Sequence, residues 1–178
     1  MALRITLEFS DKDLGYFKKL AEQALKSTQG QSAEEIIKGA KTLLSNMSEA
    51  AGSQYIQSRI SQLRLLIDML EDKGWGMQAV GRGRVLAALS YFNNPEDIIP
   101  DEVPVLGYLD DAIMVELLTR ELKPEIDAYQ DFVVYRASEA KRRGLDPSQL
   151  DRTDFLEARE QALLARMRRR RRSGSLFR

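Results

Sequence analysis

The chain has 178 residues, 43% hydrophobic and 30% charged, with 27 basic and 27 acidic side chains balancing to zero. That length and apolar content predict one domain with a sizeable core. With no cysteine and no histidine, disulfides, thiolate nucleophiles, the usual zinc ligands and a Ser–His–Asp arrangement are all excluded.

The zero net charge conceals a split. Seven of the 27 basic residues are arginines lying between 166 and 178, a stretch with no acidic residue, which leaves 20 basic against 27 acidic elsewhere. An acidic body with a cationic end suggests an interaction tail. Met1-Ala2-Leu3-Arg4 lacks the apolar core of a secretory signal. The longest near-continuous apolar run, 85–92, falls well short of the roughly 20 residues that span a bilayer. A soluble, cytoplasmic protein is expected.

In chain order, residues 3–9 alternate apolar and polar side chains, the period of a half-buried strand. No second good strand offers it a partner, so it packs on helices as an arm or pairs with its copy in a homodimer. Ser10 with Asp13, and Ser32 with Glu35, have the spacing of N-terminal capping boxes. They predict a first helix carrying Leu14 and Phe17 and a second carrying Ile36, Ala40, Leu43, Leu44 and Met47. A third, over about 54–72, shows Ile56, Ile60, Leu63, Ile67 and Leu70 in steps of four and three, the stripe of a packed bundle. Trp75 between Gly74 and Gly76 breaks the chain, as a core cover or as an exposed contact. Helix four, about 77–92, is apolar nearly all round in its second half and is expected to be the central helix. The Gly81-Arg82-Gly83-Arg84 run within it lacks the third glycine, preceding strand and lysine of a nucleotide loop.

Helix five is expected over about 109–122. Helix six starts near Pro124 and ends at Gly144, with Ile126, Tyr129, Val133, Ala137 and Ala140 inward. Asp146-Pro147 opens a turn, and Thr153 is the expected cap of a last helix. The predicted fold is all-α, a compact bundle of six to seven helices with a short N-terminal β-strand. The single domain covers 1–165, and 166–178 form a basic tail that should be frayed or disordered, being polar all round.

Residues 91–111, YFNNPEDIIPDEVPVLGYLDD, are the most informative stretch. Pro95, Pro100 and Pro104 each fix φ and disfavour helix in the preceding residue. The connector is therefore extended and stiff, with Gly107 supplying freedom before helix five. It holds Glu96, Asp97, Asp101, Glu102, Asp110 and Asp111 in a set geometry.

The ordered positions Tyr91-Phe92, Pro95, Asp97-Ile98-Ile99-Pro100-Asp101, Pro104-Val105, Gly107-Tyr108 and Asp110-Asp111 resemble the signature of the YkvA-like family, a bacterial domain of unknown function. The resemblance covers about residues 85–122, within a family-like core at 77–123. It implies a helical hairpin around an acidic Pro-rich turn, often near or in membranes, with no established activity or cofactor. Glu102 stands where relatives tend to carry an apolar residue. Glu116, Arg120 and Glu121 argue against a membrane-embedded hairpin here.

The carboxylates read in three ways. They cap local backbone N–H groups, as aspartates in proline turns and at helix starts do. They form a partner-binding surface of Asp97, Asp101, Glu102, Asp110 and Asp111. Or Asp97, Asp101, Asp110 and Asp111 hold a divalent metal, although the DxDxDG spacing of a calcium loop is absent. Arg166, Arg168, Arg169, Arg170, Arg171 and Arg172 are solvated, or pair with an anionic partner such as RNA, DNA, the ribosome or a membrane surface. The expected function is that of a non-enzymatic adaptor, needing no cofactor, with an acidic docking surface for an unknown protein and an anion-binding tail. A carboxylate-based metal-dependent hydrolase and a dimeric scaffold joined through residues 3–9 are the alternatives.

Overall fold

The structure is a computed structural model that describes residues 6, 8–27, 30–49, 54–93, 99, 103 and 107–173. Seven α-helices run through them: α1 (Asp11–Ser27), α2 (Ala33–Glu49), α3 (Gln54–Glu71), α4 (Ala79–Leu89), α5 (Leu109–Glu121), α6 (Lys123–Arg143) and α7 (Arg152–Ser173). Of the expected N-terminal strand only Thr6, Glu8 and Phe9 lie among the described residues, and they are in no strand; the rest lies outside them.

Both capping boxes form. The amide of Asp13 donates to Ser10 Oγ at 3.4 Å while Ser10 N donates to Asp13 at 2.9 Å. The second box repeats this with Ser32 and Glu35 at 3.2 and 2.7 Å. Each settles backbone donors that a helix start leaves without intrahelical partners.

α3, not α4, is the central helix. Its stripe buries Ile56, Ile60, Leu63, Leu66, Ile67, Met69 and Leu70, and it packs against α2, α4, α5 and α6. α4 buries only Val85 and Leu89, because Arg82 and Arg84 hold its first half at the surface and Val80 is exposed. Arg82 Nη1 reaches back to the Leu70 carbonyl at 2.7 Å, and Arg84 pairs with Glu125. α4 then tightens into a 3-10 turn over Ser90–Asn93.

α6 follows α5 through the single residue Leu122, whose N–H bonds Leu118 and whose carbonyl accepts from Ile126. Pro124 occupies the first turn of α6, where a missing N–H is harmless. Phe132, fully buried, faces the core where Ala137 was expected and is exposed. Gly144 closes α6 at φ 68, a left-handed conformation that favours glycine. α7 is capped by Asp151 instead of Thr153: Asp151 Oδ1 accepts from Thr153 N and Asp154 N at 2.7 and 3.2 Å. A side chain accepts from N–H groups two and three positions ahead, so the cap sits one residue before the helix.

Trp75 is a core residue, 5.3 Å from the Phe132 ring and 5.7 Å from Tyr129. The Arg152 guanidinium lies over its ring at 4.4 Å. Beneath it, Asp72 accepts from Gly74 N (2.9 Å), Trp75 N (3.1 Å), Tyr129 Oη (3.1 Å) and both Arg136 Nη groups (2.9 and 2.7 Å). This cluster ties the end of α3 to α6. Arg152 N, donating to Gly74 O at 2.8 Å, adds the start of α7.

Candidate functional site

The connector is held at both ends. At its start the Asn93 amide donates to Gln31 Oε1 (2.8 Å) and to the Glu35 carbonyl (3.1 Å). It lies so close over Gly39 that a methyl group there would overlap its amide oxygen. Asp97, Asp101 and Glu102, expected in the partner surface, lie outside the described residues, as does Glu96. Near its far end, Gly107 N closes a turn on Val103 O at 2.8 Å.

Tyr108, not Gly107, adopts the left-handed conformation before α5, with φ 64. A bulky residue there stores strain on the order of 1–3 kcal/mol, which surrounding structure must hold in place. Burial of the Tyr108 ring in the core, at 9% exposure, and the bond from Ala112 N to its carbonyl do so.

Asp110 and Asp111 start α5, as expected, but they face inward, with exposures of 3% and 7%. Asp110 Oδ2 accepts from Ile99 N at 3.1 Å across eleven residues. One carboxylate thus ties the backbone of the proline-rich segment to the first turn of α5, where the helix dipole favours negative charge. Neither side chain is presented to solvent as a docking surface requires. The physical reason is the helix face: positions 110–115 of α5 are buried without interruption between its neighbours. Among the described residues no three carboxylates come together in a group able to hold a metal ion.

The anchoring role has a direct consequence. Asp110→Ala should lower stability by about 1–3 kcal/mol, because a part-buried amide loses its acceptor. Asp110→Asn, which keeps an acceptor oxygen, should recover part of that loss. Chemical denaturation of the two variants measures it; unchanged midpoints would remove Asp110 as a tie.

The arginine tract lies on α7, which continues through it to Ser173. Arginine is a good helix former, so a helix already begun extends through the run. Residues 174–178 lie outside the described residues. The first part of α7 is anchored: Phe155 is buried against Phe132 and Tyr135, Tyr135 Oη donates to Asp154 O at 3.1 Å, and Arg159 pairs with Asp131 at 2.7 Å. From Gln161 to Arg169 every position is exposed, Arg166, Arg168 and Arg169 among them.

An open groove of about 950 Å³ runs between α1, α4 and α5. Leu14, Ala87, Met114 and Leu118 form its apolar wall, and Glu22 and Arg120 stand among its charged residues. Arg120 is committed to Glu116, which also binds Arg59 of α3.

The Asp72 cluster was missed in the sequence. Its signal was local: an aspartate two residues before a glycine is the pattern of a side chain capping its own turn. Burial raises the Asp72 carboxyl, but the Arg136 hydrogen bonds and charge, with the Trp75 amide and Tyr129 hydroxyl, outweigh it and hold the carboxyl below its ordinary value. Burial and the adjacent Asp72 charge push the Tyr129 phenol up to about 12. Five donors and a stacked core describe a structural joint.

Residues 82–117 match the family model described as Protein of unknown function (DUF1232). That is about a fifth of the chain: most of α4, the 3-10 turn, the connector and the first part of α5. The match overlaps the YkvA-like stretch and assigns no activity. No curated protein and no solved structure matches the chain. The matched segment includes Asn93, Tyr108, Asp110 and the groove residues Arg84, Ala87, Ala88, Met114 and Leu117. No helix among the described residues is long and apolar enough to cross a membrane.

Proposed function

We propose that this chain is a non-enzymatic interaction protein: a helical body, residues 1–165, docks a protein partner through its connector, and the arginine end of α7 engages a polyanion. The observation that carries the reading is the run of exposed positions from Gln161 to Arg169 leading into five consecutive arginines, 168–172. Arg166, Arg168 and Arg169, exposed on the helix end, add no packing to the fold. Guanidinium groups of such a tract can pair with phosphates as two-pronged donors. On the connector, Asp97, Asp101 and Glu102 remain the proposed docking residues, and Asp110 holds Ile99 between them in sequence. A carboxylate hydrolase finds less support, since Asp110 is spent on the Ile99 amide and Asp111 is buried.

Arg166, Arg168, Arg169, Arg170, Arg171 and Arg172 all changed to Gln should abolish retention of single-stranded RNA or heparin while thermal unfolding stays unchanged. For the unaltered chain, log affinity should fall against log salt with a slope of about 4, from six neutralised phosphates. Filter binding across a salt series reads both. Equal retention of the two proteins, or retention indifferent to salt, would refute the anion-binding end.

A further inference from the structure

Charge is only half of what the end of α7 presents. Leu156, Leu163, Leu164 and Met167 are 52%, 58%, 43% and 43% exposed. At the helical angle of about 100° per residue, positions 156, 163 and 167 fall within roughly 40° of one another, with 164 about 60° beyond. They make one apolar sector. Arg166, Arg168 and Arg169 fall outside it, on the remaining sides of the same two turns. Glu160 is the one acidic residue within the sector, and it precedes Leu163, so the apolar surface is unbroken where the arginines begin. In the sequence, Leu176 and Phe177 follow the tract, placing apolar residues on both flanks of the basic run.

We infer that the C-terminal half of α7 is a surface helix for anionic lipid bilayers, with Leu163, Leu164 and Met167 entering the headgroup boundary and the arginines pairing with lipid phosphates. This rests on the polyanion reading above and names its partner. Leu163, Leu164 and Met167 on one side with Arg166, Arg168 and Arg169 on the others form the pattern of helices that lie in a bilayer interface; Arg171, at the edge where the apolar sector ends, and the other basic residues draw on the negative surface potential. Nucleic acid satisfies the arginines equally well, but phosphate contacts leave the four apolar side chains in water. A bilayer takes both. The rest of the chain, with 20 basic against 27 acidic residues, is repelled by the same surface, which confines the contact to this end. α7 lies outside the matched segment 82–117.

The full chain should co-sediment with phosphatidylcholine vesicles that contain phosphatidylserine and not with phosphatidylcholine alone. Leu163→Gln with Leu164→Gln, both exposed and compatible with helix, should lower vesicle partitioning about tenfold or more and leave RNA retention unchanged. The six Arg→Gln changes should abolish both. Circular dichroism confirms that each variant keeps its helix content. RNA retention without vesicle binding, or vesicle binding indifferent to the leucines, overturns the lipid assignment and leaves the polyanion reading standing. Failure to bind either overturns both. A leucine variant that turns a dimer into a monomer with vesicle binding intact assigns the sector to a second copy, and so overturns the inference.

Discussion

Phe132→Ala should cost about 3–5 kcal/mol, the largest loss of any single truncation in this fold. The ring has no exposed surface. It meets Trp75 at 5.3 Å, Tyr129 at 6.5 Å and Phe155 at 5.9 Å, and carries the Arg136 guanidinium at 4.8 Å. Those neighbours come from the segment after α3, from α6 and from α7. Removing the ring leaves a cavity that none of the three can close without moving the others. Against a typical total of about 5–15 kcal/mol, such a loss puts folding itself at risk. Phe132→Leu, which refills much of the space, should cost appreciably less. Urea unfolding followed by Trp75 fluorescence would show both values, and a Phe132→Ala midpoint close to that of the unaltered chain would mean the aromatic cluster is not the keystone of this end.

Asp72→Ala should come second, at about 2–4 kcal/mol, below the full figure for a buried pair because the Arg136 side chain keeps about a fifth of its surface in water. Five donors lose their acceptor at once, Arg136 being charged and the Gly74 and Trp75 amides holding the turn. The loss should depend on pH. Because the folded-state pKa lies below the ordinary 3.8, the carboxylate contributes fully above that value. The contribution disappears as pH falls through the lowered one. The gap between the unaltered chain and Asp72→Ala should therefore be constant near neutrality and shrink in strong acid. A double-mutant cycle with Arg136→Met isolates the ion pair; additive losses would show that the two groups act independently.

Helix identity and order were legible because each signal was local. Ser10 with Asp13, Ser32 with Glu35, Pro124 and Gly144 each fix a terminus through neighbouring backbone alone. What failed needed knowledge of who packs on whom. α4 is more uniformly apolar than α3, yet the stripe of α3 meets four helices and α4 meets solvent at Val80. Tyr108 in place of Gly107 at the left-handed position follows from a buried ring, which the residue types do not announce. Asp110 and Asp111 look like surface charge because carboxylates usually are; the partner that justifies Asp110 inside, the Ile99 amide, lies eleven residues away. Of the candidate site, the arginines were legible as composition. The apolar sector beside them became visible only with the exposure of Leu163 and Leu164.

The one-residue junction at Leu122 has a mechanical consequence. Its hydrogen bonds carry the ladder of α5 into α6, leaving no slack loop to absorb displacement between them. A pull on Ile99 would reach the head of α5 through Asp110, and the junction would pass that load to α6. There Phe155 and the Arg159–Asp131 pair couple it to the base of the arginine-bearing lever. A contact at the mid-chain connector and one at the C-terminal helix would thus feel each other's tension.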